Sequence, residues 1–182
     1  MYYQPNGSMV LAQTNYIKEL LTKMNMDEAN GVSTPMFSTC KLNKHEEDKL
    51  PDPLLYKSTI GALQYVTLTT HDIAFYVNKA CQLMVEPLES HWSVVKHLLR
   101  YLSGTTTNMF LLAWSNPQQQ YSLKAYNDSY WANDLDDRLY TSDSCIYHEP
   151  NLVAWSYKKQ SLVARSGTNV EYLLTPPQSF YG

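Results

Sequence analysis

A chain of 182 residues has room for one domain or two small ones, and 44% hydrophobic residues with 15 tyrosines supply the material for a packed core. Only 17% of residues are charged, below the roughly 25% of an average soluble domain, which argues against a disordered chain and for an adhesive surface. The net charge of −3 gives no global attraction to polyanions, so any such role has to come from a local patch.

The N-terminus, MYYQPNGSMVLAQ, lacks a basic stretch followed by an apolar one, so no signal peptide is read there. Asn6-Gly7 is a turn dipeptide between two short runs of strand character, Met1–Gln4 and Ser8–Gln13. Tyr16, Ile17, Leu20, Leu21 and Met24 then share one helical face, with Thr14 as the expected N-cap. Thr34-Pro35 and the polar stretch Lys41–Pro53 read as an exposed linker.

From Leu54 to Leu102 the period is helical. Leu55, Ile60, Leu63 and Val66 predict a first helix, interrupted at Gly61. A second starts near Asp72, an acid suited to a helix N-terminus, and carries Ile73, Tyr76, Val77, Ala80, Leu83 and Met84 to its close at Pro87. The third turns Trp92, Val95, Leu98, Leu99 and Leu102 inward and stops at Gly104. After Thr105 the pattern becomes strand-like. Phe110–Trp114, Tyr121–Trp131, Leu139–Tyr147 and Asn151–Tyr157 are aromatic-rich runs separated by turn residues, which predict an antiparallel meander.

Two basic groups stand out. Lys96, His97 and Arg100 are expected on the outer face of the third helix, and Lys158, Lys159 and Arg165 form a second group. Such clusters suit backbone phosphates, and an ordinary solvated surface accounts for them equally well. Asp128 read alone is a turn or strand-end acid, and Glu171 a first-turn helix acid. Asp134, Asp136, Asp137 and Asp143 read as an exposed acidic loop. Cys145 with His148, and Cys40 with His45, lack the partners that a structural zinc site requires. Three cysteines far apart suit a reducing compartment, and no apolar run approaches the roughly 18–20 residues of a membrane span. The expected protein is soluble and intracellular, cytoplasmic or nuclear, with no membrane partner.

Several blocks, in order, resemble the Pol polyprotein of copia-type retrotransposons, from the end of the reverse transcriptase into its ribonuclease H. They are YIKELLTKMNM at Tyr16–Met26, VSTPM at Val32–Met36, DPLLYKSTIGALQYVTLTTHDIAFYVN at Asp52–Asn78 and HWSVVKHLLRYLSGT at His91–Thr105. AYNDSYWA at Ala125–Ala132, DDRLYTS at Asp136–Ser142 and NLVAWSYKKQSLVARSGTNVEY at Asn151–Tyr172 follow.

The resemblance implies an α+β chain, a small thumb-like helical bundle followed by an incomplete ribonuclease H-like antiparallel sheet. Its divisions would be 1–36 for the end of the reverse transcriptase, 37–53 for a linker, 54–104 for thumb or connection helices and 105–182 for the ribonuclease H-like part. The polymerase aspartates of the family match nothing in these residues. Asp128 matches the first of four ribonuclease H acids and Glu171 the second, the positions that hold Mg2+. The other two acids have no counterpart, so Mg2+ is expected to bind weakly and catalysis to fail. Family acids replaced by Tyr130 and Asn169, and a family glycine replaced by Asp143, point the same way. With Pro176-Pro177 ending the covering helix, one sheet face and an edge strand are expected to lie exposed. The implied partners are an RNA–DNA hybrid or other duplex, and other Pol chains.

Overall fold

The computed structural model describes residues 1–35, 48–114, 122–130, 141–148 and 150–159, without the side chains of 128–130, 141–142 and 158–159. Among these residues the fold is α+β, with four α-helices and two three-stranded antiparallel sheets.

The N-terminal hairpin forms as its turn chemistry dictates. Strands β1 (Tyr2–Tyr3) and β2 (Met9–Leu11) are joined through Gly7, whose φ of 83° favours glycine. The Asn6 side chain accepts from Ser8 N at 3.0 Å and braces the turn. Helix α1 (Thr14–Lys23) buries Ile17, Leu20 and Leu21, as its period requires. Its cap differs from expectation. Gln13 is the N-cap, and Thr14 lies inside the helix with its hydroxyl donating to Thr106 O at 3.1 Å. Asn25, at φ 54°, ends the helix in the left-handed conformation asparagine tolerates.

Within residues 48–53, expected as part of an exposed linker, only Leu50 leaves the solvent and the rest stay exposed. Leu50 is buried in the core, its N–H donates to Pro87 O at 3.0 Å, and Glu89 N donates to Asp48 O at 3.0 Å. An apolar side chain within a charged run is worth burying even when its neighbours stay solvated. Asp52 then caps α2 (Pro53–Val66), accepting from Leu54 N and Leu55 N at 3.0 Å each, with Pro53 at the first position. Gly61 does not interrupt this helix, because i→i−4 bonds on both sides carry the chain through one weak residue.

A short 3₁₀ turn, His71–Ile73, leads into α3 (Ala74–Cys81). This helix ends six residues short of Pro87, so Leu83 is buried from the following turn. Helix α4 (Glu89–Gly104) buries Val95, Leu98, Leu99 and Leu102 completely. Together with Tyr56, Ile60, Leu63, Val66, Ile73 and Val77 they form the core. The Tyr56 hydroxyl donates to Ala80 O at 3.0 Å, and burial pushes its pKa well above the ordinary tyrosine range.

The strands past α4 divide differently from the expected meander. β3 (Phe110–Leu112) pairs with β2, giving a first sheet in the order β1-β2-β3. Three strands containing only apolar and tyrosine residues bury more surface together than a hairpin does alone. The second sheet is the meander β4 (Leu123–Tyr130), β5 (Thr141–His148) and β6 (Asn151–Lys159), with β5 central. It meets the helices along an aromatic seam. Tyr157 lies edge-on to Phe75 at 4.5 Å, and Trp155 lies 5.7 Å from His71 and 6.0 Å from Phe110. Asn151 adds a two-point clamp on Ala113, accepting from its N–H at 2.6 Å and donating to its carbonyl at 2.8 Å.

Candidate nucleic-acid interface

The α4 basic group is only partly a surface group. Lys96 is exposed on α4. His97 is 6% exposed, with Nε2 2.9 Å from Thr34 O, which corrects its expected place on an outer face. Positions 96, 97 and 100 span more than one helical face, so sequence proximity did not make them co-facial. The residues before Pro35 cover this side of the helix. Arg100 Nε donates to Asn30 O at 3.0 Å, Ser103 Oγ donates to Ala29 O at 3.1 Å, and Val32 N donates to Arg100 O at 3.3 Å. The cover lies close because Gly31 and Gly104 meet backbone to backbone. A Cβ on Gly31 would fall 2.7 Å from Gly104 Cα.

The second group reaches the sheet. Lys158 pairs in register with Ser142, and Lys159 with Thr141, at the end of β6. Asp128, in β4, pairs with Asp143 in β5, and Asp143 pairs with Tyr157 in β6. Asp128 and Tyr157 therefore occupy one cross-strand row, and Lys158 starts the next. Two strand spacings place the β4 and β6 backbones about 10 Å apart. Arg165 and Glu171, like Cys40, His45, Asp134, Asp136, Asp137 and Pro176-Pro177, lie outside the described residues. On the second sheet Leu123, Tyr126 and Val153 remain at least half exposed.

Comparison with known proteins covers both halves. Over 168 residues, 92% of its length, the chain is 41% identical to the Retrovirus-related Pol polyprotein from transposon RE2 of Arabidopsis thaliana. It is 34% identical over 170 residues to that from transposon TNT 1-94 of Nicotiana tabacum, which covers 90% of this chain and 12% of that protein. An uncharacterized mitochondrial protein of Arabidopsis thaliana matches at 37% over 169 residues, covering 92% of this chain and 68% of that protein.

The chain belongs to the copia-type retrotransposon Pol polyprotein family.

It spans 11% of the length of the RE2 relative. No protein-family model matches it, and no solved structure does. Among the described residues of this Pol relative, no helix is long and apolar enough to cross a membrane.

Among the described residues no group of three or more His, Cys, Asp or Glu side chains comes together, and the Asp128 side chain and Glu171 lie outside them. Sequence reasoning missed two features of the site. The cover formed by residues 29–34 was marked only by Gly31, and the meeting of Tyr101 with Asp72, 29 positions apart, leaves no local pattern.

Proposed function

We propose that these 182 residues are a non-catalytic part of a copia-type Pol polyprotein. In this reading they run from the end of the reverse transcriptase (1–36) through a linker (37–53) and thumb-like helices (54–104) into a ribonuclease H-like sheet (105–182). The observation that supports its Pol part is the 41% identity to a Pol polyprotein over 168 residues, 92% of the chain. Asp128 and Glu171 stand at family metal positions, and two carboxylates would hold Mg2+ too weakly to align water and leaving group. Alone, the chain leaves an RNA–DNA hybrid uncut. The test is incubation of the purified chain with labelled hybrid in Mg2+ and in Mn2+. An intact RNA strand is the expected result. Cleavage abolished by Asp128→Asn overturns the non-catalytic reading.

A second reading, a module that grips an RNA–DNA hybrid through its backbone, is favoured by exposed Lys96 and by Lys158 and Lys159 sharing one sheet end. Lys96, Arg100, Lys158, Lys159 and Arg165 supply its phosphate contacts. His97, being buried, acts there only by holding the cover on α4. Binding falls as salt rises, and Lys96→Ala with Arg100→Ala weakens it.

A further inference from the structure

A cleft of about 410 Å³ opens between the join preceding α3 and the segment following α4, lined by Thr69, Thr70, His71, Asp72, Thr107, Asn108, Met109 and Phe110. Its volume is within the range of small-molecule sites. Its lining combines one carboxylate, hydroxyls and an amide with two rings, His71 and Phe110, whose centroids lie 5.8 Å apart. Neither lysine nor arginine lines it, so a phosphate entering beside Asp72 would meet repulsion without compensation.

Asp72 is fixed in place. The Tyr101 hydroxyl donates to its Oδ2, and Asp72 is otherwise exposed to solvent. Burial first, and then the Asp72 contact, push the Tyr101 phenol up to about 12, so it remains a donor and the carboxylate keeps an acceptor for a ligand. Thr70, 8% exposed, adds a hydroxyl, and Asn108 adds an amide that both donates and accepts.

A flat ligand with an amino donor next to a ring acceptor answers this lining. The amino group reaches a carboxylate, the acceptor takes the amide N–H, and the ring lies against aromatic or sulfur-bearing side chains. We infer that the Thr70–Asp72/Thr107–Phe110 cleft binds an unpaired amino-bearing nucleobase, of which cytosine is the smallest. A uracil presents a carbonyl where cytosine presents its amine, and it would set oxygen against the Asp72 carboxylate. The inference deepens the nucleic-acid reading above, yet free nucleosides test it separately, because hybrid affinity depends on cations that do not line the cleft.

The experiment is titration of the intact 182-residue chain with cytidine and with uridine, followed by the His71 ring-proton resonances. Cytidine should saturate those shifts about tenfold more tightly than uridine, the discrimination of one well-made base contact. Asp72→Asn should bring the two nucleosides to equal affinity. Should that variant unfold, Asn108→Ala, in an exposed segment, should weaken cytidine about fivefold while leaving the melting curve in place. Equal affinity for cytidine and uridine in the unaltered chain overturns the inference, as does saturation that leaves His71 unmoved. Displacement of cytidine by arginine amide at equal concentration also overturns it, and assigns the cleft to a protein side chain.

Discussion

Single residues in this chain give sharply opposed expectations for chemically similar changes. Gly61 lies exposed in the middle of α2, and a Cβ there meets nothing within 4 Å. Gly61→Ala should therefore raise stability by about 0.5–1 kcal/mol, read as a higher urea midpoint at unchanged slope. Gly31→Ala should do the reverse. Its Cβ would fall 2.7 Å from the Gly104 backbone, and displacing the cover on α4 should cost about 1–3 kcal/mol in the same measurement. The α2 cap has an ordinary magnitude: Asp52→Ala removes an acceptor shared by two amides and should cost about 1 kcal/mol. Alkaline pH acts on Tyr101, whose pKa rises from 10.0 to about 12 on folding. The folded state holds this proton more tightly, so the contribution to stability is complete below pH 10 and is lost as pH rises towards 12. Denaturant melts across that window should show the midpoint falling, and falling less in Tyr101→Phe.

At the scale of elements, the parts of the fold set by local periodicity were legible and the parts set by long-range pairing were not. The buried face of α1, the inward row of α4 and the Asn6-Gly7 hairpin follow from side-chain spacing and turn chemistry alone. The 3₁₀ turn before α3 and the early end of that helix do not, because Leu83 is buried whether it leaves the core side as helix or as turn. β3 was legible as a strand but not in its partnership. Its apolar run suits either sheet, and nothing local says that it pairs with residues a hundred positions earlier. The same holds for the candidate site. Lys96, His97 and Arg100 were legible as a basic group, whereas the burial of His97 depends on a covering segment distant in sequence. The joint between the sheets offers a test at this scale. Asn151→Ala removes both bonds to Ala113 and should raise hydrogen exchange in β6 selectively, with α4 amides unchanged.

At the scale of the molecule, one apolar core serves α1, α2, α3 and α4, and an aromatic seam couples it to the second sheet. Exposed apolar residues lie on both parts, Leu54, Tyr65 and Val85 in or beside the helices and Leu123, Tyr126 and Val153 on the sheet. The proposed division of labour follows: a cohesive helical body, a partly uncovered sheet that carries the family's Asp128 position, and cations on both. The two proposed readings together make the chain one that grips a hybrid without hydrolysing it. The most direct measurement is fluorescence anisotropy of a labelled RNA–DNA hybrid over a salt series with Mg2+ present, followed by sizing of the RNA strand. Five phosphate contacts predict a fall in log affinity with log salt of slope roughly −4.5, with the strand intact. Absence of binding at low salt, or a cut strand that Asp128→Asn leaves whole, would contradict the account.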